Sequence, residues 1–308
     1  MLGLPRIAPV VYPSLMKLHL LDATYELFRA HFGYPSREDK DGAPIHAVAG
    51  LIESTLGLLR QDDVTHVGAA FDSVIRSFRN DLFDGYKTGE GIEPELMAQF
   101  PIAERALEAI GLKVWRMQEF EADDALAAAA MKFCDNVDQV VIMTPDKDLA
   151  QCVVGDRIIM YNRRERAERN EQGVWEKWGV GPESIPDYLA LVGDTADGIP
   201  GIAAWGAKSS SIVLGRYGRL EQIPKDEGDW DVKVRGASRL GENLRSDFDD
   251  ALLYRHLATL RRDAPTSDHI GELEWKGVHR QAFLALCDEL GLADFKEKPH
   301  QWSDELPV

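Results

Sequence analysis

Nine carboxylates lie directly after short apolar runs or open the segment that follows one. They are Asp22, Asp72, Glu121, Asp123, Asp124, Asp146, Asp148, Asp194 and Asp197. Apolar runs flanked by helical patterns predict buried parallel strands, and such sheets bind ligands at the carboxyl ends of their strands. Because like charges gathered in one cleft repel one another, we expect these acids to hold divalent cations through hard oxygen ligands. The pattern therefore predicts a metal-dependent phosphoryl-transfer site.

Each acidic group also has an ordinary structural interpretation. Asp146 and Asp148 are spaced i and i+2, which suits a shared cation, but the same tripeptide could form a turn that caps the next helix. Asp123 and Asp124 suit the first turn of a helix, where the helix dipole favours acids. All the groups nevertheless occupy equivalent positions relative to apolar runs. This shared position favours the metal site.

The composition bounds the class of protein. Its 308 residues can form one large or two modest domains. Three cysteines without a Cys-x-x-Cys pair argue against a disulfide framework or a zinc site, and no apolar stretch approaches the roughly 20 residues of a membrane span. We expect a cytoplasmic monomer. Its net charge of −17 means that any nucleic acid must be held by local basic patches and metal ions.

Strands and helices alternate over the first half of the chain. Strands are predicted at 17–21, 66–71, 113–115 and 139–143, and helices at 43–60, 95–110 and 122–134. This alternation predicts an α/β domain with a largely parallel sheet. A glycine-rich stretch at 86–94 predicts an exposed, mobile excursion between two helical patterns. From residue 183 the pattern is mainly helical, with helices expected near 239–260 and 279–290.

We therefore divide the chain into four parts. These are a disordered leader at 1–16, an α/β core at 17–182, a helical region at 183–262, and a C-terminal helical segment at 263–308. The last segment is expected to pack back on the core and to end in a tail.

A glycine hairpin at 198–206 leads into a helical pattern that begins with Lys208 and Ser209. The segment is not a Walker A loop, because Ala207 separates Gly206 from the lysine, so a nucleotide cofactor is not expected. A glycine hairpin before a helix presents backbone N–H groups and a cation to a phosphate. Ordinary capping of the helix by Ser209 is the alternative.

Basic residues flank the glycine-rich excursion. Arg76, Arg79 and Lys87 lie near the acids, whereas the arginine run at 157–169 has the composition of a solvated face. The histidines are scattered, and none pairs with a serine or cysteine at an informative spacing. A nucleophilic triad is therefore not expected.

The same motifs, in the same order, resemble those of the 5′-nuclease (flap endonuclease) family. They are Leu-Leu-Asp22, Ala-Phe-Asp72, Arg76-Ser-Phe-Arg79, Tyr86-Lys87, Glu121-Ala-Asp123-Asp124, Pro-Asp146-Lys-Asp148-Leu, Leu-Val-Gly-Asp194-Thr-Ala-Asp197-Gly-Ile-Pro-Gly201 and Gly206-Ala-Lys208-Ser209. The bacterial type of this family forms the N-terminal domain of DNA polymerase I and also occurs as stand-alone 5′–3′ exonucleases. The resemblance covers residues 17–290.

The resemblance implies a PIN-like α/β nuclease core and a helix-three-turn-helix (helix-hairpin-helix-like) region that grips duplex DNA. It also implies two or three Mg²⁺ or Mn²⁺ ions. The implied ligands of the first ion, direct or through water, are Asp22, Asp72, Glu121, Asp123 and Asp124. Those of the second ion are Asp148, Asp194 and Asp197, with Asp146 near both.

Further roles follow from the resemblance alone. Arg79 and Lys87 resemble catalytic residues that neutralise the scissile phosphate, and Tyr86 resembles an aromatic on which a terminal base stacks. The implied DNA contacts also include Arg76, Gly201, Gly206, Lys208 and Ser209. Carbonyl groups of the hairpin from 201 to 206 are implied to hold K⁺.

The chain departs from the family pattern at two functional segments. Ala204 occupies a hairpin position where relatives carry glycine, so a left-handed backbone there would be strained. Glu90 lies in the excursion and Met97 lies just beyond it, within the segment 86–101 that resembles the family's gateway for the 5′ strand. Relatives carry arginine at these positions. We therefore expect weaker electrostatic guidance of a 5′ flap.

The sequence as a whole predicts a metal-dependent nuclease that cleaves DNA at 5′ ends, flaps and nicks during replication and repair. Two alternatives remain at this level: a PIN-like ribonuclease, and a DNA-junction binder without catalytic activity. The helix-hairpin segment and the pair of Asp194 and Asp197 argue against the first. The complete set of nine acids argues against the second.

Overall fold

The computed structural model describes residues 15–307, and its centre is a six-stranded sheet in the order β3-β2-β1-β4-β5-β6. The strands are β1 Lys17–Asp22, β2 His66–Asp72, β3 Lys113–Met117, β4 Gln139–Met143, β5 Ile158–Asn162 and β6 Ala167–Arg169. All neighbouring pairs are parallel except β5 with β6. The predicted α/β class with a largely parallel sheet is confirmed.

The order of the strands creates a crevice beside β1. Connections run outward from β1 through β2 to β3 on one side, and then from β4 to β5 on the other. Leu21, near the end of β1, pairs with Ala69 of β2 and with Met143 of β4. The carboxyl ends of β1, β2 and β4 therefore meet at one edge, at the point where the strand order reverses.

Helices cover both faces of the sheet, as a parallel sheet requires. They are α1 Ala23–Gly33, α2 His46–Leu58, α3 Arg79–Leu82, α4 Pro94–Met97, α5 Phe100–Ala109, α6 Ala122–Phe133, α7 Glu171–Trp178, α8 Ile185–Val192, α9 Ala207–Tyr217, α10 Ala237–Ser246, α11 Phe248–Ala258 and α12 Arg280–Leu290. Side chains of α1, α2, α5 and α12 form one core layer. Side chains of α6 form the other, together with those of α8–α11.

Residue size explains how α6 fits between the sheet and the C-terminal helices. Six alanines of α6 are buried, among them Ala125 and Ala127, which are completely inaccessible. Small side chains allow α6 to approach both the sheet and the C-terminal helices closely. The segment after the helical region returns to the other face, where Phe283 and Phe295 are fully buried. Among residues 15–307, no helix is long and apolar enough to cross a membrane.

Most predicted elements occur, with boundaries shifted by a few residues. The helix predicted at 43–60 is α2, and the one at 95–110 is divided into α4 and α5, with Pro101 in the first turn of α5. The arginine run at 157–169 spans β5 and β6, two strands that the sequence patterns missed. Most of the predicted leader, residues 1–14, lies outside the described residues.

The predicted exposed excursion at 86–94 is anchored at both ends. Tyr86 is 2% exposed, and Leu96 of α4, just beyond the excursion, is 1% exposed. Between these anchors, Glu90, Glu93 and Glu95 form an exposed acidic rim. The excursion is therefore a short packed loop with an acidic outer surface.

The hairpin before α9 contains a strained backbone position. Ala204 has φ +70°, one of two positive values outside glycine among residues 15–307. A left-handed conformation places Cβ of an L-residue too close to the backbone. The sequence predicted strain at this position, and the backbone has it.

We predict that Ala204→Gly raises the free energy of unfolding by roughly 0.5 kcal/mol, because relief of strain exceeds the extra entropy of the unfolded chain. Urea denaturation measures the change. The matched control is Ala203→Gly, whose position has no positive φ and which should lower stability. A loss of stability in both variants would show that position 204 is unstrained.

Candidate metal centre

The nine predicted acids are carried by elements that end at the same edge of the sheet. Asp22 and Asp72 are the last residues of β1 and β2, and Glu121 is the N-cap of α6, which follows β3. Asp123 and Asp124 lie in the first turn of α6, Asp146 and Asp148 follow β4, and Asp194 and Asp197 lie in the turn after α8. The distinct roles of these nine residues depend on what each carboxylate touches.

One group of acids interacts around the end of β1. Burial, together with the charges on Asp72 and Asp146, raises the pKa of Asp22 to about 7. Burial also raises the pKa of Asp123 well above its usual value, with contributions from Asp146 and Asp22. Such shifts mean that the carboxylates ionise with difficulty unless a cation joins them.

A second group consists of Asp148, Asp194 and Asp197, whose carboxylate oxygens lie within 4.8 Å of one another. Asp148 is 5% exposed, and its Oδ1 has no hydrogen-bond partner among residues 15–307. A buried carboxylate oxygen without a donor is costly, so this position suits a cation. Asp146 links the two groups, because its charge also raises the pKa of Asp148.

Backbone and hydroxyl donors fix the geometry of both groups. The hydroxyl of Thr144 donates to Asp22 Oδ2 at 2.8 Å, and the N–H of Asp146 donates to the Thr144 hydroxyl oxygen at 3.1 Å. Asp148 in turn donates its N–H to Asp146 Oδ1 at 3.0 Å. Sequence reasoning missed Thr144, although a threonine two residues before an aspartate at a strand end is a recognisable turn signal.

Lys87, which lies in the excursion, forms ion pairs with two of the acids. Its Nζ lies 2.8 Å from Glu121 Oε2 and 3.1 Å from Asp197 Oδ1. Burial alone would lower the pKa of Lys87, but Glu121 and Asp197 raise it well above the usual value. The ammonium is therefore charged and, with the side chain 26% exposed, can face a ligand phosphate.

A glycine allows this contact between two loops. The Lys87 N–H donates to the carbonyl of Asp197 at 3.0 Å. Gly198 has φ +76°, and a Cβ there would lie 2.1 Å from the carbonyl oxygen of Gly85. Only glycine permits this approach, which brings Lys87 to the acids.

Arg79 and Asp124, to which the resemblance assigns the scissile phosphate and the first metal ion, form a buried ion pair with each other. Arg79 is 1% exposed, and its Nη1 and Nη2 donate to Asp124 at 2.8 and 2.7 Å. The carboxylate of Asp124 also accepts from the backbone N–H groups of Glu121 and Arg261. All four acceptor positions of the Asp124 carboxylate are thus used, so the ion pair stabilises the fold.

Tyr86 and Glu121 also lie behind the other acids. Tyr86 is buried, and its hydroxyl donates to Glu121 Oε2 at 3.2 Å, so its ring is not placed to stack on a base. Glu121 further accepts from the hydroxyl of Ser77 at 2.6 Å. Although burial would raise the pKa of Glu121, Lys87 and Arg79 lower it. Glu121 therefore positions Lys87.

The predicted DNA-binding residues of the hairpin lie on the surface around the start of α9. Lys208 is exposed, whereas Ser209 accepts from the Gly206 N–H at 3.0 Å and caps the helix. Gly201 packs against the backbone of Gly193, where a Cβ would lie 2.5 Å from its nitrogen. Arg76 is exposed. Of this set, Lys208 and Arg76 present cations outward.

Comparison with known families decides the identity of this arrangement. A family model described as the 5′–3′ exonuclease N-terminal resolvase-like domain matches residues 17–179. The chain belongs to the 5′–3′ exonuclease family. The model of the family's C-terminal SAM fold matches residues 180–281.

Relatives of known name are bacterial DNA polymerases I. The chain is 30% identical to that of Bacillus caldotenax over 94% of its own length and 33% of the polymerase. It is 33% identical to that of Pseudomonas aeruginosa over 95% of its own length and 32% of the polymerase. The chain thus spans about a third of the length of these relatives.

Solved structures with the same fold include T5 5′-exonuclease and the catalytic core of Rad2. T5 5′-exonuclease with bound zinc has a TM-score of 0.65 at 17% identity, covering 89% of this chain and 99% of that one. The catalytic core of Rad2 in complex with DNA substrate has a TM-score of 0.59 at 15% identity, covering 90% and 87%. These likenesses confirm the nuclease fold.

We predict that the metal-free protein loses stability as pH rises. The folded-state pKa of Asp22 is about 7, above its usual value, so the folded state retains a proton that the unfolded chain has lost between about pH 4 and 7. The free energy of unfolding should fall by about 1.4 kcal/mol per pH unit for each such proton. Urea denaturation in chelator at pH 5.5, 6.5 and 7.5 measures it.

Asp22→Asn is the reference for this series, because the variant lacks the titrating group. Burial lowers the pKa of His19 to about 4, which acts in the opposite direction below pH 6.5 in both proteins and cancels in the difference. Parallel curves for the two proteins would contradict the assignment.

Two aspartates should respond oppositely to the same substitution. Asp124→Asn removes an ionic partner of buried Arg79 and should lower the free energy of unfolding by about 3 kcal/mol. Asp148→Asn removes repulsion and supplies a donor, so it should raise the stability of the metal-free protein. Urea denaturation in chelator at pH 8 compares them. Equal losses in both variants would show that their environments do not differ.

Proposed function

We propose that this protein is a divalent-metal-dependent nuclease that hydrolyses DNA phosphodiesters at 5′ ends, flaps and nicks. Membership of the 5′–3′ exonuclease family supports this function. The observation that carries it is the division of the acids into two groups that share Asp146, one of which contains the orphaned Asp148 Oδ1. All the candidate metal ligands are hard carboxylate oxygens, which suit Mg²⁺ or Mn²⁺.

The residues that would hold two ions follow from this division. Asp22, Asp72, Asp123 and Asp146 would hold one, and Asp148, Asp194 and Asp197 the other. When bound, such a pair lowers the pKa of water and stabilises both oxygens of an in-line displacement at phosphorus, so no protein nucleophile is required. We assign Arg79, Asp124 and Glu121 to positioning instead.

The protein's own cations then orient the substrate. The ammonium of Lys87 faces the acids from the excursion, where it would neutralise a phosphate next to the bond that is cleaved. Lys208 and the first N–H groups of α9 would hold a phosphate of the duplex. Carbonyl groups of the hairpin from 201 to 206 would hold K⁺ beside it.

This arrangement supports the proposed division of the chain at 17–182, 183–262 and 263–308. The first part would carry out hydrolysis. The second would grip the duplex, and the third would brace the sheet from the opposite face.

The deciding experiment is cleavage of 5′-labelled DNA with flap, nicked and blunt ends in Mg²⁺ or Mn²⁺. We expect cleavage at the 5′ end or junction, and Asp148→Asn should abolish it while DNA affinity is retained. The same substrates with an RNA 5′ strand provide the comparison for a ribonuclease. Cleavage of RNA alone, or turnover by Asp148→Asn equal to that of wild type, would refute the proposal.

The acidic rim of the excursion should disfavour long flaps. Glu90 is exposed and repels phosphates, whereas arginine would neutralise them and release counterions. We predict that Glu90→Arg combined with Met97→Arg raises cleavage of long 5′ flaps several-fold relative to nicked ends. It should also steepen the salt dependence by up to about two phosphate contacts. Single-turnover rates at several salt concentrations measure both effects.

Glu297→Arg is the matched control for added positive charge. Glu297 is exposed, and the carbonyl of its neighbour Lys298 accepts from Arg60, just beyond the end of α2. The control therefore lies near the edge where the strands begin, away from the acids. Equal stimulation of flap and nicked substrates by the double variant, or stimulation by Glu297→Arg, would contradict a role for the rim.

A further inference from the structure

Lys147 lies inside the second group of acids although the metal-site motif gives it no role. It is the middle residue of Asp146-Lys147-Asp148, and its Nζ forms an ion pair with Asp194 Oδ2. The side chain of Asp194 is 5% exposed, so this pair is not an ordinary surface ion pair. The charges of Asp148 and Asp146 also act on the ammonium.

The three acids of this group are neutralised unequally. Asp194 is paired with Lys147, and Asp197 is paired with Lys87 at 3.1 Å. Asp148 Oδ1 has no partner among residues 15–307. The group therefore contains one carboxylate oxygen without a hydrogen-bond partner among the described residues. Its other two acids each form an ion pair with a lysine ammonium group.

The backbone of Lys147 is held in place while its side chain can leave. Hydrogen bonds from the N–H of Asp148 to Asp146, and from Asp146 to Thr144, fix the turn on both sides of it. The 3₁₀ helix that follows begins at Asp148. Because the Lys147 side chain is 35% exposed, rotation of its χ angles can move the ammonium into solvent without moving either aspartate.

We propose that the Lys147 ammonium competes with the second divalent ion for the Asp194 carboxylate. The ammonium stays paired with Asp194 until an ion, together with substrate, displaces it. This inference rests on the proposed function, because it assumes two ions at the acids. An ion and an ammonium cannot share one carboxylate oxygen without strong repulsion at this distance. Lys147 therefore weakens the second site when DNA is absent.

Displacement also couples the second ion to the substrate. The expelled ammonium loses Asp194 as its partner, and a DNA phosphate at the site offers a new one. Substrate and second ion then favour each other's binding, as linkage requires. A protein of this kind would hold one ion firmly when free and complete its site on DNA.

The test is the affinity for Mn²⁺ in the absence of DNA. Calorimetry and the paramagnetic resonance signal of free Mn²⁺ both measure it. Lys147→Met keeps the length of the side chain and removes its charge, so the second ion should bind about tenfold more tightly while the first changes little. Lys147→Gln is a second neutral variant and should behave alike. Lys147→Arg retains the charge and should keep the second site weak.

Lys132→Met is the control for loss of one positive charge. Lys132 pairs at 3.1 Å with Asp268, whose side chain is 85% exposed, so its removal should leave both Mn²⁺ affinities unchanged. Melting temperatures in chelator supply an independent readout: Lys147→Met should melt lower than wild type, because Asp194 loses its counter-charge. Nicked DNA with a non-hydrolysable linkage should tighten the second ion more in wild type than in Lys147→Met.

Unchanged or weaker binding of the second ion in both neutral variants would overturn the proposal, and so would equal tightening by Lys132→Met. These results leave the proposed function intact if wild type binds two ions and cleaves DNA. Wild type that binds no second ion even on DNA would overturn both.

Discussion

Repulsion among buried carboxylates is the constraint on which the structure depends. A parallel sheet with acids after β1, β2 and β4 brings them together at one edge, where burial raises the pKa of Asp22 and Asp123. The protein offsets only part of this charge. Lys87 and Lys147 supply ammonium groups, and Thr144 supplies a hydroxyl donor. Within residues 15–307 the remaining charge has no counter-charge, and the repulsion that destabilises the site is the energy that a bound cation would relieve.

The pair of Arg79 and Asp124 joins the acidic edge of the sheet to the helical region. Arg79 also donates from Nε to the carbonyl of Leu257 in α11 at 2.8 Å, and Asp124 accepts from the N–H of Arg261. The first turn of α6 is thereby joined to the end of the helical region. A change at this pair would alter the position of the helical region relative to the acids, because buried ion pairs tolerate little displacement.

The excursion and the hairpin contact each other beside the acids. The N–H of Lys87 and the close approach of Gly198 join the two segments, so the loop that carries the ammonium and the turn that carries Asp197 form one unit. Beyond this contact, the rim of the excursion is acidic and the hairpin retains a strained alanine. Under the proposed function, both features would modify how DNA is guided while leaving the acids in place.

The α/β class, the strand ends that carry the acids and the helical region that follows are readable from the sequence, because apolar runs and punctuation by Asp, Gly and Pro are local signals. The grouping of Asp148, Asp194 and Asp197 came only from the resemblance of the motifs to those of the 5′-nuclease family. Which carboxylates remain available depends on tertiary contacts. Asp124 is occupied by Arg79 and by the N–H of Arg261, 137 residues further along the chain. No local spacing encodes such partners, because a carboxylate's role depends on the donors that folding brings to it.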